Sequence, residues 1–310
     1  MVEVREATEP ESQSWLDGWR ERLPQWFGGF SSEAEWVARN VELKLNAWAG
    51  AAQRHVFTLT DAGRDVGQLA VCQISDPPSV MLIDVWVQPR SRRQGYGRAA
   101  LAWVSQWAPQ HADQLMVIGH GGDPAQEALF GGLETRALRM MKPLTPSDSE
   151  SAKVPPEATG RAMRPHEYGP WRAGQEMVYV DEVVGSGLAS RAEAQQAAAK
   201  QFDQLLPDGL ATENNTFLCV EAQGEVVATN WIGHHYAPAT SFVFGVDVDS
   251  AHRGKGYGRA AMRLGEQASL QAGDTQLALN VFGQNAIAIG LYKAMGYATV
   301  ERIRSLKFGE

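Results

Sequence analysis

Cysteine is nearly absent from this chain, with only Cys72 and Cys219 in 310 residues. Both sit in apolar, strand-like runs (69–74 and 216–220), which reads as buried free thiols rather than a disulfide framework. Also missing is the run of roughly 18 apolar residues that a membrane span requires. The start carries Glu3, Arg5, Glu6 and Glu9 and lacks the character of a secretory leader. A reducing cytoplasm is the expected location, with no membrane partner. Positive charge is in deficit, 28 Lys and Arg against 36 Asp and Glu. That balance argues against nucleic acid as a partner, because such binding needs a basic face. No metal is expected either: the adjacent pair His234-His235 would point to opposite faces of a strand.

What is present is a repeat. Gly-Tyr-Gly-Arg-Ala-Ala occupies 95–100 and again 256–261, with an offset of 161. Val85 and Val87 precede the first copy, and Val246 and Val248 precede the second at the same offset. Arg92 and Arg253 stand three residues before each first glycine. The period is too long for a solenoid unit and implies two copies of one domain. A Pro-, Ser- and charge-rich stretch over 143–160 has linker composition. The expected domains are therefore residues 1–142 and 161–310.

In the second half a short strand is expected at 161–164, a mixed helical stretch at 167–184 and a helix at 190–206. Ser190 and Glu193 form a capping box for that helix, and 207–209 stops it. Strands at 216–222 and 226–234 flank a Gln223-Gly224 turn, a hairpin signal. A strand at 241–248, the Gly-rich loop, a helix at 257–272, a strand at 276–281, a helix at 285–295 and a strand at 299–308 follow. The first half repeats the order: a strand at 2–7, a helix around 32–49, strands at 55–60, 66–74 and 80–87, the loop, a helix to Trp107 and a strand at 115–118. It has only 124–130 where the second half has its long terminal helix. Strands and helices in this order indicate an α+β class, a sandwich-like sheet-and-helix domain present twice.

The two loops are Arg92, Arg93, Gln94, Gly95, Tyr96, Gly97, Arg98 and Arg253, Gly254, Lys255, Gly256, Tyr257, Gly258, Arg259. Glycines let successive N–H groups turn toward one anion, the following helix adds its positive end, and Arg and Lys bind phosphate oxygens. A Walker A loop is excluded, since no Lys-Ser/Thr follows the last glycine. The dinucleotide fingerprint matches formally at 256–261, but it belongs after the first strand of a domain, not mid-domain. The competing structural reading, tight strand-to-helix packing, would not call for two basic copies.

Val-x-Val, then Arg-x-x-Gly-x-Gly, then Asn280, Asn285, Ala288, Leu291-Tyr292 and Gly296-Tyr297 together resemble the GNAT superfamily of acyl-CoA-dependent N-acyltransferases. The resemblance covers nearly all of the second half. In the first half it covers strand, loop and helix and then fades, and this tandem arrangement is similar to that of the mycothiol synthases. It implies two tandem GNAT-type domains, each a central, mostly antiparallel mixed sheet flanked by helices. The implied cosubstrate is acetyl-CoA or another acyl-CoA, and the implied acceptor is a small-molecule amine. Val246 and Val248 would hold the pantetheine arm through their backbone, with the Val248 N–H as oxyanion donor. The second loop, Arg253 to Arg259, would cradle the pyrophosphate. Asn280 would complete the cofactor site. Asn285 is open between a helix cap and a cofactor contact. Tyr292 would be the general acid for the departing thiolate; the other reading is a core tyrosine beside Ile287, Leu291 and Met295.

Many members of the superfamily carry a carboxylate where this chain has Gly245. Asp247, on the same strand face, is the first choice for base or water-organiser, with Glu182, His234 and His235 in reserve. Asp84 stands at the Gly245 position of the first half. There Phe130 replaces Tyr292 and His120 takes the Asn280 position, so the loop with Val85 and Val87 is expected to be a second cofactor site without efficient catalysis. Trp15, Trp19, Trp26 and Trp36 read as core and rim, the alternative being an aromatic acceptor pocket. Two other functions compete: acyl transfer from a carrier-protein phosphopantetheine docked on Arg90, Arg92, Arg93 and Arg98, and a non-catalytic CoA sensor or scaffold.

Overall fold

A computed structural model describes residues 2–75, 78–150, 155–185 and 190–309. Residues 151–154 of the expected linker and residues 186–189 lie outside the described residues. In chain order the elements are β1 (Glu3–Glu6), α1 (Glu9–Gly28), α2 (Ala34–Gly50), β2 (Arg54–Asp61), β3 (Arg64–Ser75), β4 (Pro78–Val87), α3 (Tyr96–Trp107), β5 (Gln114–His120), α4 (Pro124–Phe130) and β6 (Glu134–Pro143). They continue with α5 (Pro146–Glu150), β7 (Ala158–Ala162), α6 (Pro165–Gly185), α7 (Arg191–Leu205), β8 (Asn215–Ala222), β9 (Glu225–Ala237), β10 (Thr240–Val248), α8 (Tyr257–Gln271), β11 (Gln276–Phe282), α9 (Ala286–Ala294) and β12 (Ala298–Lys307). The α+β class and the mostly antiparallel mixed sheets flanked by helices are as the sequence implies.

Three elements were not anticipated, α1, β6 and the short α5. The signal for α1 is in the sequence: Thr8 and Glu11 form a capping box ahead of it, with Pro10 in its first turn. The mixed stretch around α1 hides its period, but Trp15, Trp19, Leu23 and Phe27 form a buried i, i+4 stripe.

The chain divides into two compact units. One holds Met1–Arg139, Val281–Ala286 and Ala298–Glu310; the other holds Met140–Asn280 and Ile287–Tyr297. In the first unit the strand order is β1-β2-β3-β4-β5-β12. All its pairs are antiparallel except β4 with β5. Leu59, Leu69, Leu82 and Leu115 are fully buried there, each worth roughly 1.5–3 kcal/mol against exposure. In the second unit the order is β7-β8-β9-β10-β11, with residues 140–143 of β6 beyond β11. Only β10 with β11 is parallel among the pairs recorded there. Its core packs Phe202, Phe217 and Trp231 under α6 and α7.

By repeat, β12 belongs to the second half; by pairing, it belongs to the first unit. It runs antiparallel to β5 from Glu301↔His120 to Lys307↔Gln114. The approach behind this ladder is so close that a Cβ on Gly121 would lie 1.9 Å from the Thr299 carbonyl oxygen. Part of the expected linker is structured too. Asp148 of α5 bonds Lys142 and Arg263, and both cations also reach Glu266, which is fully buried.

Candidate active site

β10 pairs with β9 as far as Val248↔Ala228, but its parallel ladder with β11 runs only from Thr240↔Gln276 to Val243↔Leu279. A bulge between Val243 and Gly245 bends the strand at that point. Val246 and Val248 therefore keep an edge with no ladder partner among the described residues, and Asn280, one step past the last pair, is exposed. An open strand edge offers amide and carbonyl groups to an extended ligand. β4 does the same: its ladder with β5 stops at Leu82↔Val117, just before a bulge, leaving Val85 and Val87 beyond it.

Each open edge runs into its Gly-rich loop. Gly256 has φ +89° and opens α8; Gly95, also at φ +89°, opens α3. Gly254 is left-handed as well, and its counterpart Arg93 takes φ +65°. A Cβ on Gly95 would meet nothing, so the glycine answers to the backbone angle, not to space. The first N–H groups of α3 and α8 have no intrahelical acceptor and point out of the helix end. This cradle, with Arg253, Gly254, Lys255, Gly256 and Arg259 exposed around it, fits a pyrophosphate. Arg253 also ties the loop down, its Nε donating to the Val248 carbonyl at 3.3 Å, as Arg92 does to Val87 at 3.1 Å. The remaining first-loop residues Gln94 and Arg98 are exposed, and Gly97 packs near Leu129. The Tyr257 side chain is engaged elsewhere. Its ring is buried and its hydroxyl lies 3.3 Å from Glu157, while Tyr96 donates to Asp61 at 2.8 Å. Gly258 is the packing glycine: a Cβ there would sit 3.2 Å from Val248 Cγ2 and 3.5 Å from Leu291 Cδ2.

Tyr292 lies on α9 and is buried. Burial, and then the nearby charge of Glu182, pushes its phenol up to about 12. Among the described residues its hydroxyl forms no hydrogen bond, so the proton is available to a ligand. The expected stripe beside it is only partly realised. Met295 is buried, but Ile287 is 87% exposed, because α9 presents that flank to solvent. Asn285 immediately precedes α9 and is exposed; it lies in the segment that clusters with the first unit.

The candidate bases separate. Asp247 is exposed on β10. His234 and His235 sit toward the other end of the strand pair. His234 bridges Thr216 at 2.8 Å and Ser241 at 2.9 Å, and His235 pairs with Asp274 at 3.1 Å. Both are occupied away from Val246 and Val248. Glu182 is half-buried, and burial pushes its carboxyl up. Gln175 is a residue that sequence reasoning missed. Its Oε1 stands 2.4 Å from where a Gly245 Cβ would be, so α6 itself fills the place of a side chain there.

The first unit closes the equivalent place. Asp84 accepts from Trp15 Nε1 at 2.9 Å and from Arg22 Nη2 at 2.5 Å. Burial pushes its carboxyl up against the pull of the Arg22 guanidinium. His120 lies between Trp26 and Phe30, at 4.7 and 5.0 Å between ring centroids. Its position needs correcting: the parallel registers, Leu82↔Val117 and Val243↔Leu279, set Ile118 and not His120 opposite Asn280. Relative to the first copy, one residue is inserted between β10 and β11, which shifts the alignment. The same register keeps Phe130 opposite Tyr292, and both are buried. A cavity of about 870 Å³ runs along Leu16, Arg20 and Pro24 of α1 and Val37 and Val41 of α2. It follows a different stripe of α1 from the Trp15 and Arg22 stripe that meets Asp84.

The acetyltransferase (GNAT) family model matches residues 15–128 and 166–297. The chain belongs to the acetyltransferase (GNAT) family, with the family unit present twice, and is an N-acetyltransferase. It is 30% identical over 225 residues to a mycothiol acetyltransferase of Saccharomonospora viridis, covering 69% of this chain and 70% of that one. To the mycothiol acetyltransferase of Streptomyces avermitilis it is 26% identical over 270 residues, 86% and 83% of the two chains. A GCN5-related N-acetyltransferase structure from Sphaerobacter thermophilus aligns with a TM-score of 0.52 at 16% identity, covering 99% and 95%, a likeness of fold. Among the described residues no group of His, Cys, Asp and Glu could hold a metal ion, and no helix is long and apolar enough to cross a membrane.

Proposed function

We propose that the chain transfers an acetyl group from acetyl-CoA to a primary amine of a small molecule, in the second of its two family units. The observation that carries this reading is the open edge at Val246 and Val248, which leads without interruption into the left-handed Gly256 and the start of α8. Acetyl-CoA supplies the activated acyl thioester. Val246 and Val248 bind its amide arm through the backbone, and the Val248 N–H stabilises charge on the acyl oxygen. Arg253, Gly254, Lys255, Gly256, Gly258 and Arg259 hold the pyrophosphate, Tyr257 through its N–H alone, with Asn280 as a further contact. Tyr292 gives its proton to the departing sulfur. The small-molecule acceptor class follows the relatives named mycothiol acetyltransferase.

In the repeat of residues 1–142 the loop from Arg92 to Arg98 binds the same anion without turnover. Phe130 has no proton to give, and Asp84 is held by Arg22 and Trp15. Native mass spectrometry with acetyl-CoA tests the assignment. Retained thiol release from acetyl-CoA with an amine panel in a Gly95→Asp variant, and its loss in Gly256→Asp, supports a single active site in the second repeat. The reverse pattern moves catalysis to the first repeat, and no binding to either loop removes the CoA reading.

A further inference from the structure

The two repeats are offset by 161 residues at their loops, but not at their first helices. In the first unit Arg5 clamps Glu11 through both guanidinium nitrogens, at 2.8 and 2.6 Å, and Glu11 accepts from the Thr8 N–H at 2.8 Å. In the second unit Arg161 clamps Glu167 at 2.8 and 2.6 Å, and Glu167 accepts from the Arg164 N–H at 2.7 Å. The offset there is 156, and it also carries Trp15 onto Trp171. The strand pairs agree, since Glu3↔Thr60 corresponds to Thr159↔Glu221. Residues of α1 and α6 can therefore be matched one to one.

Matched in this way, the faces toward the bulged strands have opposite chemistry. Trp19 corresponds to Gln175, Arg22 to Val178 and Trp26 to Glu182. In the first unit Arg22 neutralises Asp84 and Trp26 covers His120. In the second unit that ion pair is deleted on both sides at once, as Val178 and Gly245. Two polar side chains, seven residues apart and so on one helix face, take the places of the tryptophans. Gln175 Oε1 fills the space at Gly245. Glu182 is half-buried, makes no hydrogen bond or ion pair among the described residues, and is felt electrostatically by the Tyr292 phenol. A carboxylate on β10 at Gly245 would have to displace Gln175 Oε1, whereas Glu182 on α6 needs no such displacement.

We propose that Glu182 is the catalytic base that takes a proton from the acceptor ammonium, and that the Gln175 carbonyl oxygen positions the resulting amine. This rests on the second repeat being the active one. The protons balance as follows. The Glu182 carboxylate takes one proton from R–NH3+, and the neutral nitrogen forms the C–N bond as the C–S bond breaks. Tyr292 gives its proton to sulfur and recovers one from the new amide nitrogen, and Glu182 later returns its proton to solvent. Burial raises the Glu182 carboxyl, the direction a proton acceptor needs, and Asp247, exposed, is left without this role.

The test uses the full chain, acetyl-CoA and two probe amines, ethylamine (protonated at neutral pH) and trifluoroethylamine (largely neutral). Glu182→Gln is expected to lower kcat/KM for ethylamine about a hundredfold or more, to leave trifluoroethylamine nearly unchanged, and to remove the acidic limb of the pH profile. Gln175→Ala is expected to raise KM for both amines with little change in kcat. Equal losses for both amines in Glu182→Gln, or an unchanged pH profile, overturn the assignment. A second arm needs no substrate. The phenol difference titration assigned through Tyr292→Phe should move to lower pH in Glu182→Gln; an unmoved titration places Glu182 away from Tyr292 and ends the proposal. Loss of both activities in wild type, with the titration shift present, would instead overturn the acetyltransferase reading of the second repeat.

Discussion

On the proposed function, Tyr292 and Gly256 separate chemistry from binding. Replacing Tyr292 by Phe removes one oxygen from a buried ring and leaves the cradle intact. Steady-state kinetics should show kcat lowered by about 10²–10⁴-fold, with the acetyl-CoA Kd from calorimetry unchanged. Gly256→Ala should do the reverse. Its φ of +89° strains any side chain, at about 1–2 kcal/mol, and the N–H groups of the loop lose their common direction. The expected readout is a weaker acetyl-CoA Kd and a lower Tm with kcat at saturation largely kept. Both residues were visible in the sequence because motif and geometry coincide there. Gln175 was not, since an ordinary helix glutamine gains its meaning only from the glycine it covers.

The paired clamps at the starts of α1 and α6 make a prediction for whole elements. Glu11 is held down at about 2, first by Arg5 and then by the Thr8 N–H; Glu167 is held at about 2 by Arg161, working against burial. A carboxyl depressed on folding stabilises above its ordinary value, and that stabilisation is lost as pH falls through the depressed one. Melting temperature should therefore fall steeply between about pH 4.5, the ordinary carboxylate range, and pH 2. Glu11→Gln and Glu167→Gln should each flatten that slope while lowering Tm at neutral pH. Most elements could be read from period and turn chemistry: the β8–β9 hairpin turns at Gln223 and Gly224, both left-handed as such a turn demands. α1 escaped because its Trp, Gln and Arg residues blur the polar–apolar period, though Thr8 and Glu11 announced its start. Its counterpart α6 also showed only a mixed pattern, and the shorter offset between the two helices concealed their equivalence.

Strand pairing sets the behaviour of the molecule as a whole. Similarity between repeats identifies which copy a strand descends from, but not which sheet it joins, so the place of β12 beside β5 was not legible. The fragment 1–142 contains every first-repeat motif yet lacks β12, and the β5 edge that β12 covers is left open. Light scattering after gel filtration should find this fragment associated or aggregated, and a synthetic peptide of residues 297–310 should return it toward a monomer. A monodisperse fragment without the peptide would mean that the ladder is dispensable. Gly121→Ala should destabilise the full chain for the same reason, since its Cβ would lie 1.9 Å from the Thr299 carbonyl oxygen.

The position of β12 also sets an order of events during synthesis. A ribosome delivers β1 through β5 first, but the strand that seals their sheet is the last element of the second repeat to be translated. The earlier half is thus the later one to mature, held with a bare edge while its sibling is still being made. An interruption of translation between the end of α9 and residue 298 releases a chain whose defect lies in the half that looks complete.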